Sequence, residues 1–104
     1  MVKFTVLYPN TPGAWFDHDY YRDSHMPMLK QLVGDKVKRY TIDRGLAGGE
    51  PGEPAPYMAS CDVFFDSLQD LQQAMAPHRS KIRADLPNYT DQKPVIQISE
   101  VVQG

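Results

Sequence analysis

Tyr21 and His25 stand four positions apart in the run Phe16-Asp17-His18-Asp19-Tyr20-Tyr21-Arg22-Asp23-Ser24-His25-Met26-Pro27-Met28. The run otherwise reads as the start of an amphipathic helix, where residues at this spacing are neighbours on one face. A phenol and an imidazole side by side over an apolar interior can move a proton. Histidine titrates near neutrality, so His25 can serve as base or acid toward an enolisable or phenolic substrate. Tyr21, one turn earlier, can orient that imidazole or donate to a developing oxyanion. A structural reading competes: His25 bonds a backbone carbonyl freed by Pro27 and only completes a helix break. The spacing is compatible with both.

Other residues join the candidate site more loosely. Tyr20 is about 100° from Tyr21 around a helix, so one of the pair faces the core and the other a boundary. The Tyr21 face continues through Met28 and Leu32, and Met26 and Met28 suit a loosely shaped apolar wall, although methionine at helical spacing is usually just core. Tyr8, on the apolar side of the first strand, is a further candidate for ligand contact, as are the hydroxyls of Tyr40 and Tyr89. His78, within Met75-Ala76-Pro77-His78-Arg79, reaches the same cavity if two helices lie side by side; a surface or capping role competes. Asp17 reads as a helix cap, His18 and Asp19 as solvated, and Trp15 as a lid or a packing staple.

These side chains must be held by a small set of elements. Residues 2–8 alternate, with Phe4, Val6 and Tyr8 on one side, the period of a strand. Pro9-Asn10-Thr11-Pro12-Gly13 breaks it with turn chemistry. Asp17 opens a helix to about Val33, stopped by Gly34. Pro27 inside that helix removes a hydrogen bond and crowds the carbonyl of Asp23, which predicts a kink or break near His25. A second strand is expected over 36–46, an exposed Gly/Pro loop over 47–56, and a third strand over 57–65. Ser67-Leu68-Gln69-Asp70 resembles a capping box; it opens a second helix with Leu68, Leu71 and Met75 on its face and Pro77 interrupting it. Residues 86–90 are irregular, and 94–102 form the last strand. The order β-α-β-β-α-β predicts an α+β ferredoxin-like plait: a four-stranded antiparallel sheet with both helices on one face. Apolar residues on both faces of the strands then call for a second layer, which a homodimer packed sheet to sheet would supply.

Bulk properties narrow the function classes. A chain of 104 residues reads as one domain spanning 1–104. Its 11 basic and 13 acidic residues are scattered, with a net charge of −2. No basic stripe marks a nucleic-acid or membrane surface, and no stretch approaches the roughly 20 apolar residues that span a bilayer. The lone cysteine, Cys61, fits a small buried hydrophobe in a reducing compartment, so a cytoplasmic location is expected. The histidines at 18, 25 and 78 show no H-x-x-x-H pairing and have no second cysteine to join, so no metal site is expected. No glycine-rich loop leads from a strand into a helix. No cofactor is expected; a single haem ligated by His25 is the weakest of the readings.

Phe16-Asp17, Tyr20-Tyr21 and then His25-x-Pro27 resemble the helix motif of the EthD-like family, named for ethyl tert-butyl ether degradation. Asp85-Leu86-Pro87-Asn88-Tyr89-Thr90, leading into a final strand, resembles that family's C-terminal part. The resemblance covers the whole element order and implies a ferredoxin-like subunit that dimerises into an eight-stranded α/β barrel. Relatives on this fold include muconolactone isomerase, polyketide cyclases, cofactor-free quinone-forming monooxygenases and haem-degrading enzymes, and the founding member accompanies a cytochrome P450 system. Two functions are therefore expected from the residues and the resemblance together. One is a cofactor-independent enzyme that moves a proton on a hydrophobic, aromatic or polyketide-like carbonyl compound, with His25 and Tyr21 as its working groups. The other is a non-catalytic protein that holds a small hydrophobic molecule for an oxygenase system.

Overall fold

Four strands, β1 (Val2–Pro9), β2 (Arg39–Arg44), β3 (Tyr57–Phe65) and β4 (Val95–Glu100), form one sheet in the order β2-β3-β1-β4. All neighbours run antiparallel. The computed structural model describes all of residues 1–104. Between β1 and β2 the chain forms α1 (His18–Tyr20), a π-helical turn (Tyr21–His25) and α2 (Met26–Val33). Between β3 and β4 it forms α3 (Leu68–Met75), a 3-10 turn (Ala76–His78) and α4 (Arg79–Ala84). This is the ferredoxin-like plait expected from the sequence. β2 is shorter than its predicted span of 36–46; a 3-10 turn, Gly34–Lys36, takes up the first of those residues.

Helix starts and stops follow local chemistry. Asp17 accepts a hydrogen bond from the Tyr20 amide at 3.0 Å, satisfying a donor that the first turn leaves free. Ser67 does the same for Asp70 at 3.1 Å. Asp70 does not complete a capping box; its carboxylate pairs with Lys36 at 3.4 Å instead. Gly34, with φ of +83°, ends α2 in a conformation that costs other residues a Cβ clash.

Pro27 acts as expected in place but not in kind. The helix widens into the π turn at Tyr21–His25, where the Met26 amide bonds the Tyr21 carbonyl five residues back. Pro27 then falls in the first turn of α2, where a missing N–H costs little. A π turn accommodates one extra residue, so it rotates everything after it. Met26, Leu29 and Val33 become the buried stripe, and Met28 and Leu32 are left half-buried at its flank. The expectation that the Tyr21 face runs on through Met28 and Leu32 is corrected for that reason.

The core lies between the helices and one face of the sheet. Strand register aligns Tyr40, Val63, Phe4 and Ile98 in one row and Ile42, Cys61, Val6 and Ile96 in the next. Together with Tyr8, Ala59 and Phe65, the β1 and β3 members of these rows pack with Tyr21, Met26, Leu29, Leu71 and Met75. Burying a side chain such as Phe65 or Leu71, which are 0% exposed, contributes about 1.5–3 kcal/mol each. Leu68, expected on the inner face of α3, is instead exposed.

The other face of the sheet is less apolar than its strands suggested. Its rows run Arg39, Phe64, Lys3, Ser99, then Thr41, Asp62, Thr5, Gln97, then Asp43, Ser60, Leu7, Val95, so its apolar members are Phe64, Leu7 and Val95. The Thr5 hydroxyl bonds Asp62, and the Arg39 guanidinium lies 3.9 Å over the Phe64 ring, a cation–π contact that shields it. The helices leave β4 uncovered on the core side, where Ile96 and Ile98 are 50% and 38% exposed. That gap is the mouth of the cavity described next.

Candidate functional site

A cavity of about 440 Å³ opens between the sheet and the helices, within the roughly 300–1,000 Å³ range of small-molecule sites. Its floor is Phe4, Val6 and Tyr8 of β1, Cys61 and Val63 of β3, and Ile96 and Ile98 of β4. Tyr21, His25, Met26 and Leu29 form one wall; Met75, Ile82, Leu86 and Tyr89 form the other. Most of these side chains are apolar, so a ligand entering the cavity is desolvated beside a few fixed polar groups.

His25 is one of those groups. The residue is only 3% exposed and its ring stacks on Tyr21, with centroids 5.0 Å apart and planes 18° from parallel. The π turn produces this pairing by carrying both side chains inward. The Nδ1 atom lies 2.9 Å from Asp85 Oδ2, not on a freed backbone carbonyl. Asp85 in turn accepts from the Tyr20 hydroxyl at 2.7 Å and the Asn88 amide at 2.9 Å through Oδ1. Every fully buried side-chain polar atom in the molecule has a partner, and Nε2 of His25 has none in the protein, so Nε2 is the ring nitrogen open to the cavity.

Charge states follow from this arrangement. Burial raises the pKa of Asp85, but hydrogen bonds from Asn88, Tyr20 and His25 outweigh it and hold the carboxyl below its usual value. An ionised Asp85 accepts from Nδ1–H, which leaves the lone pair on Nε2. Burial lowers the pKa of His25, and the hydrogen bond and charge of Asp85 only partly oppose it. At neutral pH the imidazole is therefore a neutral base with a carboxylate behind it.

Three tyrosine hydroxyls meet beside this base. Tyr8 Oη is 2.9 Å from that of Tyr89 and 3.3 Å from that of Tyr21, and the rings pack edge to face. Desolvation pushes Tyr8 up to about 12 and holds Tyr21 and Tyr89 well above the ordinary phenol range. All three remain protonated and able to donate. Desolvation also pushes the Cys61 thiol up to about 12, so it is no nucleophile at neutral pH.

The remaining candidates stand elsewhere. Tyr20 serves Asp85 and does not line the cavity. Met28 is turned aside by the π turn; Leu29, one residue on, takes its place beside Met26. Tyr40 sits on β2, two strands from the opening, half-buried against the core. His78 is half-buried in the 3-10 turn at Pro77, beyond the cavity lining. Trp15 is exposed, and its carbonyl accepts from the Thr90 hydroxyl at 2.7 Å. No cluster of three metal-ligating side chains occurs. Asp85 was missed as a site residue. Its only signal was its place in Asp85-Leu86-Pro87-Asn88-Tyr89-Thr90, and nothing local tells which distant side chain it meets.

Comparison with known proteins agrees with the fold and with the motif segments. No curated protein matches the chain. Among solved structures, an EthD-like protein from Ralstonia eutropha shares 47% identity and a TM-score of 0.92, over 98% of this chain and 92% of the other. An ethyl tert-butyl ether degradation family protein from Bacillus halodurans has a TM-score of 0.66 at 20% identity, over 96% and 97% of the two chains. The cofactor-independent oxygenase SnoaB from Streptomyces nogalater has a TM-score of 0.56 at 15% identity, over 99% and 94%; it shares the fold. No helix is long and apolar enough to cross a membrane. The family model described as the EthD domain matches residues 15–93, which include both the tyrosine–histidine helix and the Asp85–Tyr89 turn, and the chain belongs to that family.

Proposed function

We propose that this protein is a cofactor-independent enzyme that removes a proton next to a carbonyl group of an aromatic or polyketide-like substrate. The observation that carries the reading is the neutral His25 with Asp85 at Nδ1 and Nε2 open to an apolar cavity. Nε2 takes the proton from carbon. The imidazolium that forms lies against the Asp85 carboxylate, while the enolate oxygen accepts from the Tyr8, Tyr21 or Tyr89 hydroxyl. The enolate can then cyclise, lose water, reprotonate elsewhere or meet oxygen, so proton abstraction is the step common to those outcomes.

The test is exchange of the α-protons of 2-tetralone, a small enolisable aromatic ketone, followed by NMR in D2O. Catalysed exchange is expected, with His25→Gln slower by about 10²-fold or more. Exchange unchanged in that variant sinks the reading. Tetralone bound without exchange favours the carrier expected as the second function.

The working unit in this reading is a homodimer in the cytoplasm. Val95, Ile96 and Ile98 of β4 are 38–50% exposed, and an edge strand with this much apolar surface is normally covered. A monomeric mass by sedimentation at micromolar concentration would overturn that assignment.

A further inference from the structure

Arg79, Ile82 and Arg83 of α4, at positions i, i+3 and i+4, line the cavity together with Leu86 of the 3-10 turn that follows. The three α4 positions share one helix face, where apolar residues are the rule on the side toward the core; here two of the three hold arginine. Lys93, on the segment before β4, joins them at the cavity. All three cations are exposed residues that also line the cavity, which puts them at its mouth, and none is paired with a carboxylate of the chain. Four cations elsewhere are paired, Lys3 with Asp62, Arg22 with Asp19 and Asp23, Lys36 with Asp70 and Lys38 with Asp66, while Lys30, Arg39, Arg44 and Lys81 are not. No acidic side chain lines the cavity. Asp85 stands behind His25 with both oxygens engaged.

An apolar cavity with an uncompensated cationic rim, on a chain of net charge −2, selects one kind of ligand. We infer that the substrate is an organic anion, its apolar body in the cavity and a carboxylate or phosphate held at the mouth by Arg79, Arg83 and Lys93. Arginine side chains one helical turn apart can each present a planar fork of donors to such a group. Placing the anionic end at the mouth leaves the reacting carbonyl to the interior, where His25 and Tyr21 stand on one wall, Tyr89 on the other and Tyr8 on the floor. The inference rests on the reading of the cavity as a substrate site and names the class of molecule it takes.

Calorimetric titration with 2-naphthoate, 2-naphthyl phosphate and the neutral 2-tetralone tests it. The two anions are expected to bind about tenfold or more tightly than the ketone, with the difference shrinking in 0.5 M salt. In Arg79→Gln/Arg83→Gln/Lys93→Gln, whose changes are at exposed positions, anion affinity should fall to that of the ketone while ketone affinity stays within about twofold. Tighter naphthoate would point to a free carboxylic acid, and tighter naphthyl phosphate to a phosphate-bearing carrier; both uphold the inference. Ketone bound as tightly as the anions, or anion affinity unchanged in the triple variant, overturns it and leaves the cavity reading standing. If none of the three binds, both fall together.

Discussion

Asp85 Oδ2 and His25 Nδ1 lie 2.9 Å apart although 60 positions separate the two residues. The bond does two things at once: it sets the tautomer that exposes the Nε2 lone pair, and it raises the basicity that burial takes from the imidazole. Asp85→Asn keeps the shape and removes the charge. Turnover should fall by about 10²-fold or more, comparable to losing a general base. Because Asp85 holds the His25 pKa up, the acid limb of the pH–rate profile should also move to lower pH. A residue that only braced the fold would lower the rate without moving that limb.

Tyr8 is the hydroxyl shared by Tyr21 and Tyr89. Tyr8→Phe leaves the packed ring and removes the central donor. Denaturant titration should show a cost of about 1–3 kcal/mol, since two hydrogen bonds at about 0.5–1.5 kcal/mol each are lost. Proton exchange from a bound ketone should slow by about tenfold or more, since the enolate loses a donor it needs most in the transition state. Equal exchange rates in the two proteins would take Tyr8 out of the mechanism.

His25 also links stability to pH. In the unfolded chain it titrates near 6.5, and in the fold its pKa is lower, so between the two values the unfolded state binds more protons. Stability is therefore complete above about 6.5 and falls as the pH drops through the interval down to the folded value. His18 is shifted in the same direction, by its own burial and by Arg44, so His18→Gln is the proper background. On it, His25→Gln should flatten the decline measured by urea unfolding between pH 7 and 5. Asp85, held low in the fold, adds a separate loss only at more acid pH, below the ordinary carboxylate range.

Cys61 lines the cavity floor beside Met26, its Sγ 3.7 Å from the methionine sulfur. A thiol pushed up to about 12 is almost wholly protonated at pH 8, and the thiolate is the reactive form. Native protein should resist iodoacetamide at pH 8 for hours, then label promptly in 6 M urea. Prompt labelling of the native protein would show that the floor is wetter and more open than the packing describes.

The amino-acid order carried the elements because strands, caps and breaks depend on near neighbours. Alternation of Phe4, Val6 and Tyr8 is a local pattern, as are the Asp17 and Ser67 caps and the Gly34 stop. The resemblance of the Tyr20–Pro27 and Asp85–Thr90 segments to one family was equally local. Pro27 announced a break, but its form depended on where the carbonyls before it found partners. A π turn rather than a kink shifted the inward stripe by one residue, and that shift is why Leu29 and Val33, and not Met28 and Leu32, are buried.

What the sequence by itself determined was the β-α-β-β-α-β order, the family and the pairing of Tyr21 with His25, all set by spacings of a few residues. Only the tertiary structure decided which partners those residues meet. Sheet register sets Tyr8 under the helix, the turn after α4 brings Asp85 to His25 and Tyr89 to Tyr8, and the uncovered β4 leaves an opening lined by Arg79, Arg83 and Lys93. These contacts join residues from opposite halves of the chain. Their energies come from burial and from hydrogen bonds formed once the layers pack, and no periodicity in the sequence records them.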